Sequence, residues 1–141
     1  MKRYGGWYWY TTEKMNLLEK HKCGKWMCFH YDQKFAMPVC EKAISEDVCY
    51  ACKCTDMETA KSSKCAICFY TNCDDLEGHK KILEFMVSHR LIPRTKTGKL
   101  YNISFKLDDQ TRANEYGENF KAQLTLDMLV ELTTGEWYEF D

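Results

Sequence analysis

The stretch Cys65-Ala-Ile-Cys-Phe-Tyr-Thr71, followed by Asp74-Asp-Leu-Glu77, decides the fold of this 141-residue chain. The first segment is a short, mostly apolar run of the kind that forms a buried β-strand. The second is a capping-box-like start, with Glu77 three residues after Asp74, and it opens a helix that Pro93 ends. The apolar face of this helix contains Leu76, Ile82, Leu83, Met86, Val87 and Leu91. We expect that face to pack against the sheet.

Further elements are predicted on both sides of this unit. A short capped helix follows Thr12, and a second helix is expected to begin close to Pro38, because proline is tolerated in a first turn. Further strands are predicted over residues 26–31, 48–54, 100–107, 120–126 and 137–140. This order predicts an α+β fold, with a curved, largely antiparallel sheet and helices packed on one face.

Length and composition indicate a single globular domain, since 141 residues of which 45% are apolar can bury a core. We expect an N-terminal aromatic segment with a short helix (1–23), a core (24–126) and an acidic C-terminal segment (127–141). No apolar run has the length of a membrane helix, and the first ten residues lack the apolar centre of a secretory leader. We therefore expect a cytoplasmic protein without a membrane partner.

Four of the nine cysteines have the spacing C-x2-C-x12-C-x2-C, which is typical of a structural zinc site. They are Cys49, Cys52, Cys65 and Cys68. Strand periodicity argues against that site, because residues three apart in a strand point to opposite faces. We therefore expect reduced, packed thiols and no cofactor, with a zinc-stabilised interaction module as an alternative.

The net charge of −1 hides a strongly acidic C-terminal third, in which residues 108–141 include nine acidic and two basic side chains. A pI near 6.4 and the lack of a dominant positive stripe argue against binding to double-stranded nucleic acid. The acidic third suggests a different class of function, a protein–protein inhibitor or adaptor that docks a basic protein partner.

Three short motifs lie within residues 24–126. They are Gly24-Lys-Trp-Met27, Ala66-Ile-Cys-Phe-Tyr-Thr71 with Asp74-Asp-Leu-Glu77, and Phe105-Lys-Leu-Asp-Asp-Gln-Thr111 running to Tyr116-Gly117. In these motifs the chain resembles the phosphothreonine-lyase domain family. The resemblance implies a fold like that of the cap-binding translation initiation factors, in which the cysteine-bearing segments are sheet strands. It also implies an activity, the β-elimination of a phosphate.

Cations on several predicted strands form a candidate phosphate site. Lys106 lies opposite the Phe105/Leu107 face of its strand, so it should project from the sheet surface that is not core. Lysine binds phosphate as a point charge, and arginine binds it as a planar fork. The candidate ligand-binding residues are Lys25, Lys53, Lys106 and Arg112, with Trp26 and Tyr101 as aromatic surfaces for a nucleotide base. Trp7 and Trp9 supply further flat surfaces of this kind.

A phosphate β-eliminating lyase is an alternative that uses the same residues. Lys106 would abstract a proton next to a carbonyl, which requires a pKa lowered by burial or neighbouring cations. His30, in a predicted core strand, is the candidate acid for the leaving phosphate. The chain contains none of the common enzyme motifs. We therefore favour a binding protein that recognises a phosphate-bearing small molecule or nucleotide on the exposed sheet face.

Overall fold

The computed structural model describes residues 1–30, 32–109 and 124–139, which form an α+β fold. An open antiparallel sheet has the strand order β1-β2-β4-β5-β3-β6. The strands are β1 (Lys2–Tyr4), β2 (Trp7–Thr11), β3 (Cys23–His30), β4 (Ala51–Thr55), β5 (Cys65–Asn72) and β6 (Lys106–Leu107). The helices are α1 (Gln33–Ser45), α2 (Met57–Ala60) and α3 (Leu76–Ser88). The predicted α+β class with an antiparallel sheet is confirmed. No helix in the described ranges is both long and apolar enough to cross a membrane.

Helices α1 and α3 pack on one face of the sheet. The main core joins Cys40 of α1 and Leu83 of α3 to Trp26, Ile67 and Phe69 of the sheet. Strand β5 lies in the middle, and all eight of its residues are buried. Both sheet faces are therefore covered along this strand, which explains why its sequence is a nearly continuous apolar run.

Helix α3 confirms the predicted apolar face at Leu83 and Met86, which are buried, and at Val87, which packs against the core. The prediction is wrong for Leu76, which is 45% exposed at the start of the helix. Its N-cap is Asp75 rather than the predicted Asp74. The Asp75 carboxylate accepts a hydrogen bond from the Gly78 backbone N–H at 3.0 Å, which satisfies a free donor of the first turn. The Asp74 carboxylate instead forms an ion pair with the Lys22 amine at 2.8 Å.

The N-terminal segment forms a β-hairpin that the sequence analysis did not predict. Strands β1 and β2 are joined by Gly5-Gly6, whose φ angles of 63° and 85° suit the tight turns of two-residue hairpin loops. Because β2 pairs with β4, the hairpin extends the main sheet. A 3₁₀ helix over Glu13–Leu17 follows, and Thr12 caps it as predicted.

Helix α1 begins at Gln33, so the predicted start near Pro38 is wrong. Asp32 is the N-cap, and its carboxylate accepts from the Lys34 backbone N–H at 2.8 Å. Pro38 lies in the second turn, where its missing N–H leaves one helical hydrogen bond unformed. The helix continues through it, and Cys40 and Ala43, both 0% exposed, anchor it to the core.

The C-terminal strands are shorter than predicted. In the first, only Lys106–Leu107 pairs with another strand, and Leu100 and Ser104 make isolated bridges. The second, over 120–126, lies largely outside the described residues. In the third, Trp137 forms a single bridge. Alternating apolar residues thus identified the buried side chains here, but not the extent of pairing.

We expect Leu83→Ala to lower the free energy of unfolding by about 2–5 kcal/mol, because Leu83 is 1% exposed and the substitution leaves a cavity in the core. Chemical denaturation would measure this loss. Leu76→Ala on the same helix is the matched control, because Leu76 is 45% exposed and should cost roughly 0.5 kcal/mol or less. Equal losses for the two variants would contradict the assignment of the buried face.

Candidate ligand-binding site

The strand register places Lys25, Lys53 and Lys106 on the same face of the sheet. Directly opposed residues of antiparallel strands share a face. Lys25 is opposed by Lys106 in β6 and by Tyr70 in β5, whereas Lys53 is opposed by Cys68 in β5. Cys68 and Tyr70 are two residues apart, so they also point to one side. We call this surface, defined by Lys25, Lys53, Lys106, Cys68 and Tyr70, the lysine face.

The centre of the lysine face is more enclosed than the exposed surface that the sequence suggested. Lys25 is 7% exposed, Tyr70 is 4% exposed and Cys68 is fully buried. The half-buried rings of Trp7 and Trp9 pack against this cluster, which contains no residue of α1 or α3. Charges held in such surroundings interact more strongly than charges in water.

Three aromatic rings enclose the amine of Lys53. Its Nζ lies 3.8 Å from the ring centroid of Trp7, 4.7 Å from that of Trp9 and 5.6 Å from that of Tyr70. Burial lowers the pKa of Lys53 below its ordinary value, and the neighbouring Lys25 ammonium lowers it further, against the opposing effects of Cys68 and Asp108. This is the perturbation that the lyase alternative required of a lysine, but it occurs at Lys53.

Lys25 forms an ion pair with Asp108. Its Nζ donates to the Asp108 carboxylate at 2.8 Å, and the Cys23 thiol donates to the same carboxylate at 3.6 Å. The Lys25 amine also lies 6.0 Å from the Tyr70 ring centroid. Asp108 therefore holds Lys25 in position and offsets part of the positive charge of the lysine face.

Cys68 lies where the fields of the three lysines overlap. Burial is the largest influence and raises the pKa of its thiol to about 11, whereas Lys53, Lys25 and Lys106 each act to lower it. The Asp108 carboxylate opposes the three ammonium groups and raises the pKa of the thiol. That arrangement is what an anionic group would encounter at the lysine face.

Gly24 allows β6 to bring Lys106 to this surface. A Cβ atom at position 24 would lie 2.5 Å from a ring carbon of Phe105 and 2.6 Å from the Lys106 carbonyl oxygen. These distances leave no room for a side chain. The close approach of the two strands therefore depends on glycine.

Two of the predicted ligand-binding aromatic residues lie elsewhere. Trp26 is 0% exposed on the helix-bearing side, and its indole N–H donates to His79 Nδ1 at 3.0 Å. The expectation that Trp26 stacks a base is therefore wrong. Tyr101 is 51% exposed, but it lies in the segment after α3, where its backbone N–H donates to the Pro93 carbonyl.

The two catalytic candidates do not form a pair. His30 follows Trp26 and Cys28 on the helix-bearing side of β3, with its ring centroid 4.7 Å from that of Phe35. Burial lowers its pKa, and its Nε2 is buried with no hydrogen-bond partner among the described residues. Lys106 projects from the opposite sheet face, so a shared proton-transfer site of Lys106 and His30 is excluded. The remaining predicted cation, Arg112, lies outside the described residues.

Tyr70 and Asp108 are not among the predicted ligand-binding residues, and the sequence indicates Trp7 and Trp9 as stacking surfaces without placing them in the sheet. The dipeptide Gly5-Gly6 was the available signal for the two tryptophans, since it predicts a hairpin and thus a place in the sheet. Asp108 lies two residues after Lys106, so strand alternation could have placed both on one surface.

The four cysteines with zinc-like spacing do not converge. Cys65 contributes to the main core, whereas Cys68 lies on the lysine face, as strand periodicity predicted. Cys49 precedes β4, and its thiol interacts with that of Cys52 within the same core, so the opposite-face argument is wrong for this pair. Within the described residues, no group of three or more histidine, cysteine or acidic side chains is arranged to hold a metal ion.

We expect the purified protein to contain no stoichiometric zinc, because Cys65 and Cys68 cannot grip one ion from opposite faces of a strand. Elemental analysis would measure the metal content. A chelator should leave the unfolding midpoint unchanged, whereas a structural zinc site would unfold when its metal is removed. About one zinc per chain together with chelator-induced unfolding would contradict the arrangement of the two strands.

Comparison with known protein families and with curated proteins identifies no match to this chain. The resemblance to the phosphothreonine-lyase domain family therefore stays a hypothesis based on three short motifs, as does the likeness to the cap-binding initiation factors.

Proposed function

We propose that this protein binds a phosphate-bearing small molecule or a nucleotide on the lysine face. The observation that carries the proposal is that the strand register brings Lys25, Lys53 and Lys106, which come from three different strands, to one sheet face. The Asp108 carboxylate pairs with Lys25 at the same face. An anion placed here would meet several ammonium groups in partly desolvated surroundings, where charge-assisted hydrogen bonds are strong.

The aromatic residues next to the lysines favour a ligand with an apolar or aromatic part. Trp9 borders the Lys53 amine and also lines a groove of about 310 Å³ together with Lys2, Tyr4, Thr11 and Met15. This volume is within the range of small-molecule sites. The groove and the lysines share one sheet face, since Lys2 is opposed by Trp9 and Trp9 by Lys53. A ligand could therefore place an aromatic group beside Trp9 and its phosphate near the lysines.

The acidic residues of the C-terminal third support the alternative of a docking surface less well. Asp108 pairs with Lys25, and Asp109 pairs with His21 at 2.9 Å. Glu131 accepts hydrogen bonds from the backbone N–H groups of Thr133 and Thr134. These carboxylates are engaged within the chain, so a basic partner protein would have to compete for them.

We expect at least one member of a panel of nucleotides and phosphorylated metabolites to raise the melting temperature, because a ligand that binds the native state stabilises it. Lys106→Ala should weaken binding of that ligand by about 1.5–3 kcal/mol, or roughly ten- to a hundredfold in Kd, by removing a charge-assisted hydrogen bond. Calorimetric titration of the wild type and the variant would measure the difference.

Lys96→Ala is the control for this experiment, because Lys96 is exposed in the loop after α3, away from the lysine face, and its loss removes the same charge. Equal weakening by Lys96→Ala would indicate nonspecific electrostatic attraction. If no panel member stabilises the protein, while binding to a basic partner falls with added salt and with Asp127→Asn, the docking alternative is correct instead.

A further inference from the structure

We infer that Lys53 is a reactive amine, and that the lysine face takes a carbonyl compound with an anionic group and holds it as an imine on Lys53 Nζ. This inference rests on the proposed function, because Lys25 and Lys106 would hold the phosphate or carboxylate of the same ligand. It adds a covalent step and a chemical class of ligand, an aldehyde or ketone that carries a phosphate or carboxylate.

The surroundings of Lys53 differ from those of Lys25. The Lys25 amine is committed to the Asp108 carboxylate at 2.8 Å. For Lys53, the described residues provide ring contacts with Trp7, Trp9 and Tyr70 but neither a hydrogen-bond acceptor nor an ion-pair partner for Nζ. An amine without a carboxylate partner loses less interaction energy on deprotonation than an amine in an ion pair. Lys53 is therefore the lysine that can become a nucleophile.

Opposing effects decide the charge of Lys53. Burial and the Lys25 ammonium disfavour the charged form and lower its pKa, whereas the thiol of Cys68 and the carboxylate of Asp108 favour the charged form. The indole faces also favour the ammonium through cation–π attraction. Burial is the largest of the electrostatic causes, and the free amine is therefore more populated at neutral pH than it would be at an exposed lysine.

The step needs no oxidant or reductant. The lone pair of the neutral Lys53 amine forms a C–N bond to the carbonyl carbon as the C=O π bond breaks. Through solvent, the nitrogen gives up one proton and the oxygen takes one up, which gives a carbinolamine. The carbinolamine oxygen takes up a second proton and leaves as water when its C–O bond breaks, while the nitrogen gives up its remaining proton to solvent and the C=N bond forms. One amine and one carbonyl thus yield one imine and one water. The rings of Trp7 and Trp9 would shield the C=N bond from the reverse attack by water.

The Tyr70 ring connects the reactive amine to the anion site. Lys53 Nζ lies 5.6 Å from its centroid, and Lys25 Nζ lies 6.0 Å from it. Both amines therefore border one buried ring from the same side of the sheet, so a ligand whose carbonyl is at Lys53 would have its anionic group near Lys25 and Lys106. This geometry favours carbonyl compounds with an anionic group over neutral ones.

Borohydride trapping with pyridoxal phosphate, an aldehyde that carries a phosphate, tests the inference on the full chain. At limiting probe, peptide mapping should find the reduced adduct on Lys53 in several-fold excess over exposed Lys96, since a lowered pKa leaves a larger fraction of free amine at neutral pH. Lys53→Arg keeps the positive charge but cannot form the imine, and should lose the adduct at that position. Lys96→Arg should leave the Lys53 adduct unchanged.

Pyridoxal, which lacks the phosphate, and added inorganic phosphate complete the test. We expect less trapping of pyridoxal than of pyridoxal phosphate at Lys53. Added phosphate should reduce labelling by pyridoxal phosphate at Lys53 but not at Lys96. Equal labelling of Lys53 and Lys96 in the wild type would overturn the inference, while thermal stabilisation by phosphorylated ligands would still support the proposed function. If Lys53 is labelled preferentially but to the same extent by both aldehydes, the inference that the ligand carries an anionic group is wrong. That result would also count against the phosphate site itself.

Discussion

The burial of strand β5 on both of its sides is the constraint on which the rest of the structure depends. Helices α1 and α3 cover its helix-bearing side, as expected for a sheet with one layer of helices. Neither α1 nor α3 covers the other side, which among the described residues is covered by side chains that include Trp7, Trp9 and Met27. The N-terminal hairpin is thus part of the core, because without its two indole rings Cys68 and Tyr70 would face water.

This mode of coverage gives the lysine face its chemical character. A helix packed there would have filled the surface with apolar side chains, whereas indole rings tolerate an ammonium group against their faces. Among the described residues, Lys53 is therefore half-buried with ring contacts and no carboxylate partner, whereas Lys25 is buried with the Asp108 carboxylate. The two lysines show both ways in which a protein keeps a cation out of water, pairing with an anion and contact with aromatic rings.

The parts of the fold that depend on residue type were predictable, and those that depend on a partner strand were not. The apolar face of α3 and the opposite orientations of Cys65 and Cys68 follow from local periodicity alone. Periodicity also indicated that Lys106 points away from the core, and the structure places Lys25 and Lys53 with it. The aromatic members of the candidate site depend on a hairpin whose Gly5-Gly6 turn was not recognised. Trp26 was assigned to the same side as its neighbour Lys25, although strand alternation places the two on opposite faces. The hydrogen bond from its indole N–H to His79 depends on the packing of α3 and cannot be seen in the sequence.

The distribution of cysteines has a practical meaning for work on this protein. Seven of the nine are buried, and the two that are partly accessible are Cys23 and Cys73. Cys23 contacts the Asp108 carboxylate that holds Lys25, so it lies at the rim of the lysine face. A thiol-reactive fluorophore introduced under native conditions would therefore attach at only two positions, one of them beside the lysines. With Cys73 replaced, the protein would carry a natural site for a dye that reports the occupancy of this surface.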